Sequence, residues 1–278
     1  MTQAMLPRLA AALRTRAALG LRPATAPVAV FVPLGMLLGP LGTGVLSPAA
    51  LSHLEVVVSV ALATLGVLIG VAAGREGGRI RTLFAASTLE AFMTILVVAT
   101  AALFLIGVWR LPLDLPSTIA AVALGVSASA SAAPSVGAGD EPARHVAARV
   151  ADLDDVLPIA LGGLVIASAA EGGLSAPSNA ALVAAMGLAI GVAGWLLFDR
   201  ASGAERGVFV LGTLSLLGGA AAYLHGSPLL AGLAAGWFWA VAPGDTDRIA
   251  AADLQKLQHP LVVLLLITAG AAVTPSLA

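Results

Sequence analysis

Two aspartates stand side by side, Asp154 and Asp155, in the otherwise apolar run Val150-Ala-Asp-Leu-Asp-Asp-Val-Leu-Pro-Ile159. Neighbours on a helix lie about 100° apart, so both carboxylates can border one cavity without facing each other. They fall about ten residues into a hydrophobic stretch, close to mid-bilayer at ~1.5 Å of rise per residue. A carboxylate at that depth costs several kcal/mol unless it is paired or hydrated, which makes it a functional candidate. Asp152 lies one turn from both Arg149 and Asp155, and its expected part is to neutralise Arg149. Pro158 cannot donate to the carbonyl of Asp154, which leaves that oxygen available beside the pair. A neighbouring serine could equally satisfy the kink. Two carboxylates and a bare carbonyl make a hard-oxygen cluster suited to Na⁺, K⁺ or H⁺.

A second unusual run precedes them, Gly125-Val-Ser-Ala-Ser-Ala-Ser-Ala-Ala-Pro-Ser135. Ser127, Ser129 and Ser131 cannot share one face of a continuous helix, and Pro134 breaks the hydrogen-bond ladder near Ala130. The pattern predicts a discontinuous fourth helix whose extended backbone lines a cavity, where freed backbone groups and half-helix ends can meet ions. The plainer alternative is a continuous helix of small packing residues. Glu90 lies about nine residues beyond Arg81, at the depth of the Asp pair. It reads either as a second proton carrier or as a protonated acid bonded to nearby Ser or Thr. His53, His145, His225 and His259 sit near predicted interfaces without ligand spacing. No phosphate-binding loop, nucleophile elbow or metal-ligand motif is present, so the expected function is not enzymatic and calls for no cofactor beyond a transported cation and proton.

The elements that carry these residues follow from composition. Of 278 residues, 59% are hydrophobic and only 10% are charged, against roughly 25% in a soluble domain. A water-soluble surface cannot be built from so few charges. The 31 glycines and many alanines suit closely packed membrane helices. There is no cysteine, which excludes disulfides and thiolate metal sites, and the net charge of −1 carries no nucleic-acid footprint. The expected fold is an all-α polytopic membrane protein of about nine transmembrane helices. Spans are predicted at roughly 26–46, 54–73, 82–107, 116–137, 146–170, 178–198, 206–224, 227–243 and 258–276. Residues 1–24 read as a cytoplasmic amphipathic segment, because Arg8, Arg14, Arg16 and Arg22 interrupt every candidate signal-peptide core.

The basic residues orient this map. With the N-terminus inside, 13 of the 14 Lys and Arg residues fall on the cytoplasmic side, and only Arg110 falls outside. The expected location is the cell's inner (plasma) membrane, with the lipid bilayer as the first partner.

Leu34-Gly-Met-Leu-Leu-Gly-Pro-Leu-Gly42 followed by Ala63-Thr-Leu-Gly-Val-Leu-Ile-Gly70 is echoed by Leu230-Ala-Gly-Leu-Ala-Ala-Gly236 followed by Leu266-Ile-Thr-Ala-Gly270. The two copies would enter the membrane from opposite sides, as inverted repeats do; Gly-rich membrane helices also resemble one another for packing reasons alone. On the first view the transmembrane domain, 25–278, divides into a first repeat at 25–170, linker helices at 171–225 and an incomplete second repeat at 226–278.

The run Val150–Ile159 resembles the Asp-Asp helix of bacterial sodium/proton antiporters of the monovalent cation/proton antiporter superfamily. Leu34–Gly42 is similar to that family's Gly-Pro signature, and the Ser-rich break at 127–135 falls where the family has its first unwound helix. The resemblance implies a homodimer in which a panel domain supports a moving core, with Asp155 as the ion-binding carboxylate and Asp154 as its companion. It also implies a further Lys- or Arg-bearing helix, a second broken helix and a last core helix, none of which is matched before Ala278. Lys256, the only lysine, is expected in a cytoplasmic loop and does not take that basic role. The expected function is exchange of a monovalent cation for protons by alternating access. The alternatives are a non-transporting scaffold or truncated remnant of the same fold, and a sodium-coupled organic anion symporter.

Overall fold

The computed structural model describes residues 25–40, 42–77, 81–109, 115–129, 156–171, 176–201, 203–243 and 246–273. Among them are nine helices and no strand: α1 (Thr25–Leu38), α2 (Pro48–Gly77), α3 (Arg81–Val108), α4 (Leu115–Ser129), α5 (Val156–Glu171), α6 (Ala176–Arg200), α7 (Gly203–Tyr223), α8 (Pro228–Val241) and α9 (Thr246–Ala272). Five of them, α2, α3, α6, α7 and α9, contain a stretch long and apolar enough to cross a membrane. The described parts of α1, α4, α5 and α8 are shorter, at 14, 15, 16 and 14 residues.

Helix ends follow local chemistry. Two helices begin Ser-Pro. Ser47 and Ser227 accept from the backbone N–H three residues on, at 3.2 Å and 3.3 Å, and the following proline occupies a position whose own N–H is not needed. α7 ends in a Schellman turn. Gly226 N–H donates to Ala221 O at 2.9 Å and His225 N–H to Ala222 O at 3.0 Å, while His225 holds the left-handed position at φ 51°.

Two expected spans are corrected. The span placed at 26–46 is helical only to Leu38, because Gly39 and Pro40 end it and Thr43 N–H turns back to Leu37 O at 2.7 Å. The span placed at 258–276 begins its helix at Thr246, so Lys256 lies exposed on α9 and not in a loop. Asp247, Arg248, Asp253 and Lys256 hide those first turns from a hydropathy reading, yet Ala, Leu, Gln and Lys are good helix formers.

The chain forms two compact units, residues 1–52 with 262–278, and residues 53–261. In the first, α1 crosses α9 backbone to backbone. A Cβ on Gly35 would run into the carbonyl of Ile267, one on Gly39 would stand 2.7 Å from Ala271 O, and one on Gly270 would run into Val32 O. In the second unit, α8 crosses α2 in the same way. Gly232 meets Ala63 O, Gly236 meets Val67 O, and Gly66 meets Leu229 O. The two crossings correspond residue by residue and at identical spacing. Val32, Gly35 and Gly39 match Leu229, Gly232 and Gly236, while Ile267, Gly270 and Ala271 match Ala63, Gly66 and Val67.

α8 is the centre of the second unit. Its other flank is closed by α6, where Gly187 and Gly191 lie on Ala231 and Ala235. α7 completes the group through Gly218, which lies on Ser59 and Val60 of α2. Val67, Val71, Val183, Leu214, Leu217 and Trp239 fill the space between these helices. Trp239 donates its indole N–H to Gly191 O at 2.8 Å and meets Phe198 edge-on at 5.1 Å. Small residues allow this close approach, and contact between helices is what holds a bundle together where lipid offers no hydrophobic contrast.

Candidate functional site

α3, α4 and α5 form a second group within residues 53–261. On α3 the residues Ser87, Ala91, Ile95 and Ala99 recur every fourth position, so they share a face, and all four are buried. Gly125 of α4 lies on this face, where a Cβ would stand 2.7 Å from Ile95 O and 3.4 Å from Ala99 Cβ. The short link at 109–114 joins packed neighbours and makes the pair antiparallel. α5 packs on α4, with Gly162 opposite Val126, and on α8, where Gly163 faces the Leu230 side chain. Ile159, Leu230 and Leu233 form the core at that junction.

This arrangement positions part of the set expected from sequence. Ser127 and Ser129 lie in the last described turn of α4, and Pro158 is buried in the first described turn of α5. α4 is helical through Ser129, its last described residue, so the expected loss of helix does not begin at Ser127, where backbone hydrogen bonding outweighs the alternating serines; the rest of the expected break, 130–135, lies outside the described residues. Asp154, Asp155 and Ser131 lie outside the described residues, as does Asp152. Glu90 is exposed, at the edge of the buried face of α3 and one turn beyond Ser87. Among the described residues no group of three or more His, Asp or Glu could hold a metal ion.

Sequence reasoning passes over Ser87. It is wholly buried, at 0% exposure, and its hydroxyl has no hydrogen-bond partner. Buried polar atoms are nearly always bonded, so this one needs a reason. Thr64, Thr213 and Thr268, also buried, each donate to the carbonyl four residues back at 2.7, 2.8 and 3.0 Å. Ser87 does not make that bond. The sequence signal is slight: a hydroxyl on the Ala91–Ile95–Ala99 stripe, one turn before Glu90.

The chain matches no protein-family model, no curated protein and no solved structure.

Proposed function

We propose that this chain is a secondary active transporter that exchanges a monovalent cation, Na⁺ or K⁺, for protons across the inner membrane, on an inverted-repeat plan like that of the sodium/proton antiporters it resembles. The observation that most supports this reading is the equivalence of the α1–α9 and α8–α2 crossings. Exchanging α1 with α8 and α2 with α9 turns one crossing into the other, atom for atom at Gly35 and Gly232. An inverted repeat in transporters brings ion sites to the bilayer midplane on interrupted helices. In this chain the corresponding stretch would run from the Ser-rich segment after Ser129 to the Asp154–Asp155 pair just before Val156, all of it outside the described residues.

In this mechanism the carboxylate pair binds either protons or one cation. Low dielectric and a second nearby carboxylate favour the protonated form, while bound cation favours the ionised form, so the two compete for one site. Alternating exposure of that site converts competition into exchange. Pro158, Ser127, Ser129 and Ser131 contribute or release backbone and hydroxyl oxygens around the pair, and Glu90 lies on the path protons take to it. The nine helices span the membrane with the N-terminus cytoplasmic, and the protein works as a homodimer.

The full chain in proteoliposomes with an imposed pH gradient tests this. Na⁺ or K⁺ should drive proton movement, Asp155→Asn should abolish it, and Asp152→Asn should leave most of it. Unchanged exchange by Asp155→Asn rejects the site. Inactivity of the parent with every alkali cation favours the non-transporting scaffold.

A further inference from the structure

We infer that α9 is jointed at Pro260: its two halves belong to different bodies, and α1 with the far half of α9 moves as one piece relative to the bundle around α8. The joint follows from packing alone and holds whether or not the chain transports ions.

Three observations carry it. First, α9 is gripped at both ends and bare between. Leu254 is buried in the core with Phe198 and Trp239. Three residues before α9 begins, Pro243 O accepts the Trp195 indole N–H at 3.1 Å, which ties that end to α6. At the other end Ile267, Gly270 and Ala271 lie backbone to backbone on α1. Between these anchors all six residues from Gln255 to Pro260 are exposed, about 9 Å of helix without a buried side chain.

Second, the passage between the two compact units falls there, between Leu261 and Val262, one residue past Pro260. A proline inside a helix has no N–H to donate and its ring crowds the preceding turn, so the rod bends most easily at this point. Gln255, Lys256, Gln258 and His259 are polar as well as exposed, and water can take over backbone groups that bending uncovers among them.

Third, the other passage has a similar place in the repeat. It lies between Ser52 and His53 of α2. Counted back from Gly66 and Gly270, which hold equivalent places in the two crossings, Ser52 corresponds to Lys256. Ser52, His53, Glu55, Val56 and Val57 are exposed, as their counterparts on α9 are around Pro260. This passage needs no proline, because it lies close to the start of α2, where the hydrogen-bond ladder is incomplete. The chain therefore passes between the bodies at matching exposed stretches of two repeat-related helices. A few residues that absorb the change are what hinge motion requires, and rocking of one bundle against another is a use of such a pair.

The chain has no cysteine, so spin labels attach only where they are placed. Leu37→Cys with Val208→Cys reports across the two bodies, and Leu182→Cys with Val208→Cys reports within one; all three residues are exposed. Distances are measured by pulsed double electron resonance on the full chain in lipid nanodiscs. The distribution across the bodies should be about twice as wide as that within one. Pro260→Ala supplies the missing donor at an exposed position and favours helix, so it should narrow the wide distribution toward the other. Pro33→Ala, the same change inside α1 and away from both passages, should leave it wide. Backbone hydrogen exchange of the parent needs no variant, and should be about tenfold faster over 255–261 than over 265–271. A distribution across the bodies as narrow as that within one overturns the inference. So does a wide one that Pro260→Ala leaves unchanged, equal narrowing by Pro33→Ala, or equal protection of the two stretches of α9.

Discussion

Thr64 and Thr268 make the same hydrogen bond at equivalent places. Each hydroxyl donates to the carbonyl four residues back, Val60 at 2.7 Å and Leu264 at 3.0 Å, and each stands two residues before the glycine that lets its helix touch a neighbour's backbone. The bond turns the hydroxyl into its own helix, so the face that meets the neighbour stays free of unsatisfied polar atoms. The correspondence therefore extends beyond glycine spacing to how the same polar residue is silenced.

The crossings should be intolerant of any side chain. Gly232→Val and Gly35→Val each drive a Cβ into a carbonyl, and each should destabilise by about 1–3 kcal/mol. At Gly212 a methyl group would meet open space, with no neighbouring atom within 4 Å of it. Gly212→Ala should therefore be neutral or raise stability by about 0.5–1 kcal/mol. Thermal unfolding in detergent separates the two classes. Equal midpoints for Gly232→Val and the parent would show that α2 and α8 do not touch.

Trp239→Phe keeps an aromatic ring against Phe198 but removes the only donor to Gly191 O from α8. Leaving that buried carbonyl with one bond fewer and a smaller ring beside it should cost about 1–3 kcal/mol. Denaturant or thermal unfolding followed by the remaining tryptophans measures it.

His225→Gly should stabilise. His225 holds φ 51° at the end of α7 and is exposed, and a residue with a Cβ pays roughly 1 kcal/mol or more for that conformation. A higher unfolding midpoint is the expected result, and a lower one would mean that the imidazole itself holds the turn.

Orientation is tested on a cysteine-free background. Ser52→Cys, exposed at the start of α2, should react with an impermeant maleimide in intact cells, and Glu205→Cys, exposed at the start of α7, only after permeabilisation. The reverse pattern would invert the map drawn from the Arg and Lys distribution.

The existence of the helices is legible because apolar runs are long, but their ends are set by chemistry that hydropathy does not weigh. Gly39-Pro40 cut α1 short, and four charged residues mask the first turns of α9. The glycine pattern is visible in sequence, yet what each glycine touches is not. Gly232 could as well have faced lipid, as the open Gly212 on α7 does not meet any neighbour. Ser87 illustrates the limit best. A serine in an apolar helix ordinarily bonds its own backbone, and only packing shows that this one does not. The Asp pair is read from composition and depth alone, since those residues lie outside the described ones.

α8 has consequences for voltage. It has 14 residues between its caps, about 21 Å of helix against roughly 30 Å of hydrocarbon. It is ringed by α2 and α6, of 30 and 25 residues. Set in a bilayer, the hub is shorter than the hydrocarbon is thick, while the helices around it are longer. Wherever water reaches both ends of α8, the membrane potential would fall over a shorter distance there, a field steeper by roughly 1.4-fold. A charge moved along the hub would sense the full ~2.3 kcal/mol per 100 mV within fewer ångströms of travel.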